Sequence, residues 1–219
     1  LARWKHPQSG FISPSSFIPL AEKTGLIIPL TQSLMRQVAT QMNAISTLLP
    51  EGFHVGINFS ASHIVASTFF EECLNYKRSF VQQDLNLVVE VTEREPLHVD
   101  EHLVKTLNAL HEIGFAIALD DFGTGYSNFH CIRDMNPSYV KMDKDFTAKA
   151  MNDARDNELY RNIIPLVHSI DVRICAEGIE ERDWYLKMKE MQVDYLQGYY
   201  FGRPCRKEQF IQQYTAVSE

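Results

Sequence analysis

The sequence lacks a cluster of basic residues. It has 21 Lys and Arg against 28 Asp and Glu, which gives a formal net charge of −7. Proteins whose main partner is a nucleic acid usually carry a basic stripe. We therefore expect no DNA or RNA partner, whereas a small anionic substrate fits this composition if bound cations supply the positive charge.

Long apolar runs are missing as well. No segment approaches the roughly 20 apolar residues of a membrane-spanning helix. The first residues, LARWKHP, do not have the architecture of a signal peptide. The sequence as given predicts a soluble, cytoplasmic domain.

Cysteines are few and far apart. The four of them, Cys73, Cys131, Cys175 and Cys205, form no C-x-x-C pair, so neither a zinc site nor a disulfide framework is indicated. Cys175 lies in an apolar run and is predicted to be a small core residue. This usage fits a reducing cytosol.

Repeats, low-complexity segments and composition shifts are also absent from the sequence. A chain of 219 residues is long enough to bury a full core, so residues 1–219 are predicted to form a single domain. Six short β-type apolar runs recur, each followed by a segment of helical periodicity. These runs are FHVGINFS (53–60), LNLVVEVTE (85–93), GFAIALDD (114–121), SYVKMD (138–143), VRICAEGIE (172–180) and DYLQGYYF (194–201).

Helices are predicted between these strands. The candidates are HIVASTFFEECLNYK, LHVDEHLVKTLNALHEIG, residues 147–169, ERDWYLKMKEM and, further upstream, residues 30–48. Pro165 is expected to kink or divide the third of them. The stretch HPQSGFISPSSFIPLAEKTG is predicted to be a loop, and LARW the tail of a seventh strand.

Alternating strands and helices predict an α/β fold with a parallel sheet, either open and doubly wound or closed as a (β/α) barrel. Polar residues recur at the strand ends: Asn58, Glu90, Asp120, Lys141, Glu177 and Gln197. A barrel brings all strand ends to one rim, whereas an open sheet spreads them along a line. A modified TIM-type barrel is therefore favoured.

Such a rim would collect four carboxylates, from Glu90, Asp120, Asp121 and Glu177, with the amide of Asn58. Oxygen ligands of this kind suit Mg²⁺ or Mn²⁺. Two such ions, roughly 3.5–4 Å apart, are used in phosphoester hydrolysis. Glu90 is the least easily explained by structure alone, because a carboxylate inside LVVEVTE is costly to bury unless it is paired or coordinated.

Seven strings occur in order along the chain: LARW, NFSAS, EVTE, DDFGTGYSN, VKMD, AEGIE and LQGYYFGRP. Together they resemble the signatures of EAL-type phosphodiesterases, which hydrolyse the bacterial second messenger cyclic di-GMP to linear pGpG. The resemblance covers essentially the whole chain. It implies a modified (β/α) barrel, two Mg²⁺ or Mn²⁺ ions and a role in signal transduction.

The resemblance also implies a role for each matched residue. Asn58, Glu90 and Asp120 match ligands of the first metal, Asp120 bridges, and Asp121 and Glu177 match the second site. Lys141 matches the lysine that contacts the attacking water, and Glu177 doubles as the general base. Asp143, Glu180 and Gln197 match residues that support ligands or water, and Arg3, with Leu1, contacts the dinucleotide. Glu93 matches the glutamate that holds the loop 121–128, which includes Gly123 and Thr124 and couples the site to dimerisation.

The chain departs from the family pattern at its start. It begins at Leu1, the leucine of the Glu-Ala-Leu triplet, so the sequence does not include the triplet's glutamate or an eighth strand. We expect weaker metal binding by these 219 residues than by a parent protein that carries the glutamate. A homodimer and an upstream sensory or membrane-linked domain are expected by resemblance.

Two alternatives stay open. An enolase-like barrel also places magnesium ligands and a lysine on strand ends, but it lacks a tandem Asp-Asp such as Asp120–Asp121. The second is a catalytically silent module that binds cyclic di-GMP and signals to a partner. Silent members typically lose metal ligands, and here those downstream of Leu1 are retained.

Overall fold

The computed structural model describes residues 2–82, 84–92, 99–123 and 129–217. The chain divides into two compact units, one comprising residues 1–87 and 204–219 and the other residues 88–203. In the first unit lie β1 (Trp4–His6), β2 (Gly10–Ile12), α1 (Pro14–Lys23), α2 (Ile27–Asn43), a 3-10 helix (Ser46–Leu48), β3 (His54–Phe59), α3 (Ala61–Ile64), α4 (Phe69–Arg78) and α10 (Lys207–Val217).

Strand β4 (Asn86–Thr92) contains the boundary between the units. The second unit continues with α5 (Glu101–Glu112), β5 (Phe115–Phe122), α6 (Phe129–Met135), β6 (Tyr139–Met142), α7 (Lys144–Asn152), α8 (Ala154–His168), β7 (Arg173–Ala176), α9 (Arg182–Glu190) and β8 (Tyr195–Leu196). All six predicted β-type runs therefore contain a strand. Within the described parts of the chain, no helix is both long and apolar enough to cross a membrane.

The N-terminal hairpin differs from the prediction. β1 pairs antiparallel with β2, with Trp4 opposite Ile12, and the two form a separate two-stranded sheet. The expected seventh strand of the main sheet at LARW is therefore wrong. Gly10 has a φ of +71°, a conformation that suits glycine and lets the chain return at once to pair with Trp4–His6.

Helix α1 lies inside the stretch that was predicted to be a loop. Its two prolines obscured it, but Pro14 occupies the start of the helix, where the missing N–H costs no hydrogen bond. Phe17 and Ala21, four residues apart on one face, are buried. The next helix, predicted over 30–48, is instead α2 at Ile27–Asn43, followed by the short 3-10 helix.

Two predicted helices are each divided in two. The segment HIVASTFFEECLNYK becomes α3 and α4, and His63 Nε2 lies 2.8 Å from Glu72 Oε2 across the break. The segment 147–169 becomes α7 and α8, separated at Asp153, whose carboxylate accepts hydrogen bonds from the N–H groups of Arg155 and Asp156. Of the two effects predicted for Pro165, a kink or a division, the division is wrong, because this proline lies within α8.

The main sheet keeps the order of the chain, from β3 to β8. Strands β5 to β8 pair in parallel, with Lys141 of β6 opposite Cys175 of β7. The carboxyl ends of these four strands consequently lie at the same edge of the sheet, and helices α6, α7, α8 and α9 lie between them along the chain. This arrangement places the polar residues of successive strand ends side by side.

Candidate active site

Lys141 lies at the centre of an acidic cluster. Its Nζ is 3.0 Å from Glu90 Oε2, 3.1 Å from Asp120 Oδ1 and 2.8 Å from Glu177 Oε1. Only 6% of the Lys141 side chain is exposed, and the three carboxylate side chains are 13–17% exposed. Four of the predicted site residues are therefore brought together, and Lys141 is a partner of the mostly buried carboxylate of Glu90.

The sheet explains why these four residues meet. A residue two positions earlier on each strand belongs to a buried cluster of Val88, Ala118, Tyr139 and Cys175. Because side chains alternate along a strand, Glu90, Asp120, Lys141 and Glu177 continue the same faces one layer further toward the carboxyl ends. The predictions from sequence did not identify this supporting layer of residues. Its signal was the alternation in SYVKMD and in the neighbouring runs.

Electrostatics keep the lysine charged. Burial alone would lower the pKa of Lys141, but the charges of Glu90, Asp120 and Glu177 outweigh burial and raise the pKa well above its usual range. For Glu177, burial raises the pKa, with further increases from Asp120 and Glu90 and an opposing effect of Lys141. The lysine is therefore an ammonium at neutral pH, and Glu177 holds a proton more readily than a solvated glutamate.

The tandem aspartates lie on a β-bulge. Between Leu119 and Phe122, β5 advances three residues while its partner β6 advances two. Asp121 has a left-handed φ of +59°, and its N–H donates to Asp120 Oδ1 at 3.0 Å. The ordinary alternation of side chains is therefore interrupted inside β5, before the strand ends.

Gly123 packs tightly after this bulge. It has a φ of +99°, and a Cβ at this position would lie 2.5 Å from the ring of Phe146 on α7. Asp143 begins that helix, with Oδ1 accepting a hydrogen bond from the N–H of Asp145 at 2.8 Å. Asp143 thus has a helix-capping role in addition to the supporting role that the resemblance implies.

The remaining predicted residues are placed as follows. Asn58 is an exposed residue near the end of β3, in the first unit. Arg3 lines an open cavity of about 470 Å³ with Phe11, Ile12, Ser13 and Pro14, also in the first unit. Glu180 and Gln197 are exposed residues in the loops after β7 and β8. Leu1, Glu93 and Thr124 lie outside the described residues.

The chemistry of the cluster suits a hard cation. Glu90, Asp120 and Glu177 provide three carboxylates against the single positive charge of Lys141, and the excess of negative charge is what divalent cations neutralise. The carboxylate oxygens converge on the ammonium. Among the residues that the structure describes, no three His, Cys, Asp or Glu side chains are arranged to hold a metal ion between them.

Comparison with known proteins decides the family. The sequence model of the EAL domain matches residues 1–204. The chain belongs to the EAL domain family. The phosphodiesterase resemblance seen in the sequence strings is thereby confirmed at the level of the family.

Two curated Escherichia coli K12 proteins are similar to this EAL domain. It is 55% identical over 204 residues to a probable cyclic di-GMP phosphodiesterase, PdeG, covering 93% of the chain and 40% of PdeG. It is 38% identical over 215 residues to the cyclic di-GMP phosphodiesterase PdeL, covering 98% of the chain and 59% of PdeL. The EAL domain thus spans about two fifths and three fifths of these relatives.

A solved structure with a related fold is the MucR phosphodiesterase of Pseudomonas aeruginosa in complex with c-di-GMP. The TM-score is 0.84 at 30% identity, over 95% of this chain and 84% of that one. This similarity confirms the predicted fold class, an α/β fold of the modified TIM-barrel type.

Proposed function

We propose that this EAL domain hydrolyses cyclic di-GMP to linear pGpG with the help of two divalent cations, Mg²⁺ or Mn²⁺. The observation that carries the proposal is the convergence of Glu90 from β4, Asp120 from β5 and Glu177, which follows β7, on buried Lys141. Further support comes from PdeL, a cyclic di-GMP phosphodiesterase 38% identical to this chain. A hydrolase acting on phosphodiester bonds is the enzyme class that fits both.

In this proposal the cations would be held by Glu90, Asp120, Asp121 and Glu177 with Asn58, and Asp120 would contribute to both sites. The ions would supply positive charge for the phosphate oxygens and lower the pKa of the attacking water. Asp121 has a backbone conformation fixed by the bulge, so its carboxylate does not depend on the strand's ordinary alternation.

Lys141 and Glu177 have different roles toward the attacking water in this proposal. The Lys141 ammonium is a hydrogen-bond donor at neutral pH, suited to orient the attacking water and to offset charge on phosphorus. Glu177, whose pKa is raised mainly by burial, accepts the proton that the water loses. A general base works best when its pKa lies closer to neutrality than that of a solvated carboxylate.

Binding of the dinucleotide is proposed to involve Arg3, together with Leu1. Arg3 lines the cavity that exposed Phe11 also lines, and a guanidinium suits phosphate oxygens through paired donors. We assign Glu180 and Gln197 to the support of water near the cluster, and Glu93, Gly123 and Thr124 to the placement of the loop 121–128.

The parent protein is proposed to be a cytoplasmic or membrane-tethered homodimer with an upstream sensory domain. Support for a further domain comes from the length of the relatives, since the chain covers 40% of PdeG and 59% of PdeL. The dimer is proposed from the family resemblance. Light scattering of the longer protein measures its oligomeric state.

Glu90→Gln tests the proposed reaction. The substitution keeps the size of the side chain and removes one carboxylate that contacts Lys141, so we expect pGpG release from cyclic di-GMP to fall by about 100-fold or more. The assay uses chromatographic detection of pGpG with MgCl2 or MnCl2, for the 219-residue chain and for a version with its native upstream residues. The matched control is Glu101→Gln, whose exposed carboxylate pairs with Lys105 at 2.7 Å and should leave the rate unchanged.

Undiminished turnover in Glu90→Gln would exclude the site assignment. If the extended protein binds cyclic di-GMP but releases no pGpG with either ion, the catalytically silent signalling module becomes the better interpretation. Chelation with EDTA should stop the reaction, and added Mg²⁺ or Mn²⁺ should restore it.

A further inference from the structure

Lys141 contacts three carboxylates at once. An ammonium has three protons, and three carboxylate oxygens, from Glu90, Asp120 and Glu177, lie within 3.1 Å of Nζ. Each of these oxygens comes from a different strand or from the residue that follows one. Lys141 therefore links β4, β5 and the end of β7 to its own strand β6.

These links are buried, so they matter for folding. Side chains of the cluster are at most 17% exposed, and solvent screens their mutual repulsion poorly. Removing this shared cation would take away the positive charge that lies between three neighbouring carboxylates. Breaking a buried ion pair from one side is strongly destabilising for this reason.

We propose that Lys141 is a positioning residue that assembles the acidic cluster as the second unit folds, in addition to its role toward the attacking water. Its ammonium makes the folded cluster independent of divalent cations. Only this statement about cations rests on the proposed function. The assembly of the carboxylates by Lys141 does not.

Stability measurements on Lys141→Met test this proposal. Methionine keeps most of the apolar stem and removes the charge. In EDTA we expect the midpoint of thermal unfolding to fall by about 6 °C or more, the size expected for a broken buried ion pair in a chain of this length. Millimolar MgCl2 should restore at least half of the loss, whereas it should shift the unmodified chain by much less.

A double variant gives the sharpest contrast. Adding Glu90→Gln to the unmodified chain removes a partner of Lys141, so it should lower the midpoint. Adding it to Lys141→Met removes one of three repelling carboxylates, so it should raise the midpoint. This reversal of sign is measured in EDTA, so it is independent of metal binding and of cyclic di-GMP hydrolysis.

The matched control is Lys105→Met. Lys105 pairs with Glu101 on the surface of α5, with side chains 73% and 83% exposed, and its loss should move the midpoint by less than about 2 °C in EDTA or MgCl2. The proposal is overturned if Lys141→Met behaves like this control, or if Glu90→Gln lowers the midpoint equally in both backgrounds. If Lys141→Met does not fold in EDTA, folding of the double variant supports the proposal, and failure of both in EDTA and in MgCl2 overturns it.

Discussion

At the scale of single residues, the cluster could be predicted where a charged residue lies within an apolar run. Glu90 lies in the apolar run LVVEVTE, and a carboxylate there required a partner. The sequence placed Lys141 among carboxylates by strand position alone. The distances of 2.8–3.1 Å to Glu90, Asp120 and Glu177 follow from the sheet register, which no local pattern contains.

The raised pKa of Glu177 predicts a pH effect on stability. A carboxyl group whose pKa is higher in the folded state binds its proton more tightly there. Its stabilising contribution is therefore complete below the unfolded pKa, near 4.5, and is lost as pH rises through the folded pKa. Glutamine does not titrate in this range, so Glu177→Gln does not lose stability in this way as pH rises. The free energy of unfolding of Glu177→Gln should thus rise relative to that of the unmodified chain as pH increases above about 4.5.

Urea unfolding of both proteins at several pH values between about 4 and 8 measures this difference. Glu101→Gln is the control, since the exposed side chain of Glu101 should give a difference that does not change with pH. Parallel curves for Glu177→Gln and the unmodified chain would contradict the assignment of a raised pKa to Glu177.

At the scale of elements, strands were predicted better than helix ends. The six apolar runs each yielded a strand, whereas α1 was missed because Pro14 and Pro19 lie in it. The division between α7 and α8 falls at Asp153, a helix N-cap, and the capping signal was outweighed by the continuous amphipathic pattern. The segments that form helices α6 and α10 were not given bounds from the sequence. The bulge in β5 has no signature in an apolar run.

Gly123→Ala tests the packing between the end of β5 and α7. The left-handed backbone at Gly123 and the 2.5 Å approach of a Cβ to the Phe146 ring should together lower the free energy of unfolding by about 1–3 kcal/mol. Phe146 is buried, so its ring has little room to move away.

Gly202→Ala provides the comparison. A Cβ at Gly202 meets nothing within 4 Å, so this variant should stay within about 0.5 kcal/mol of the unmodified chain. Chemical denaturation measures both variants. Equal stability of the two would show that the turn after Asp121 does not require glycine.

At the scale of the whole molecule, the single domain predicted from composition stays a prediction. The chain consists of two compact units, and their boundary at Leu87–Val88 falls within β4. A boundary between independent domains usually falls in an exposed linker. Because the boundary falls inside a strand, we expect the two units to unfold together.

Calorimetry tests this cooperativity. We expect one thermal transition, with a calorimetric enthalpy equal to the van't Hoff enthalpy, because unfolding of either unit removes residues of the same strand. The scan is repeated at two heating rates so that irreversible steps are recognised. Two resolved transitions would instead indicate two domains.

The fold class and most of the cluster were accessible from sequence because both follow from alternation and strand order. Other predicted roles do not follow from alternation and strand order alone. Asn58 and Arg3 are in the first unit and the Lys141 cluster is in the second. Asn58 was predicted from its position at a strand end and, by the family resemblance, as a metal ligand. The role of Arg3 toward the dinucleotide came from the resemblance alone.

The extra residue in β5 also determines on which face of the sheet each later residue of the strand lies. Leu119 and Phe122 pair with Val140 and Met142, which lie two residues apart on the same face of β6, so the alternation in β5 changes parity between them. Deleting one residue at Asp120–Asp121 would restore the original parity and exchange the faces of everything that follows in the strand, including Phe122. The number of residues at this point is therefore as strictly constrained as their identity, and an alignment that places a gap here describes a different site.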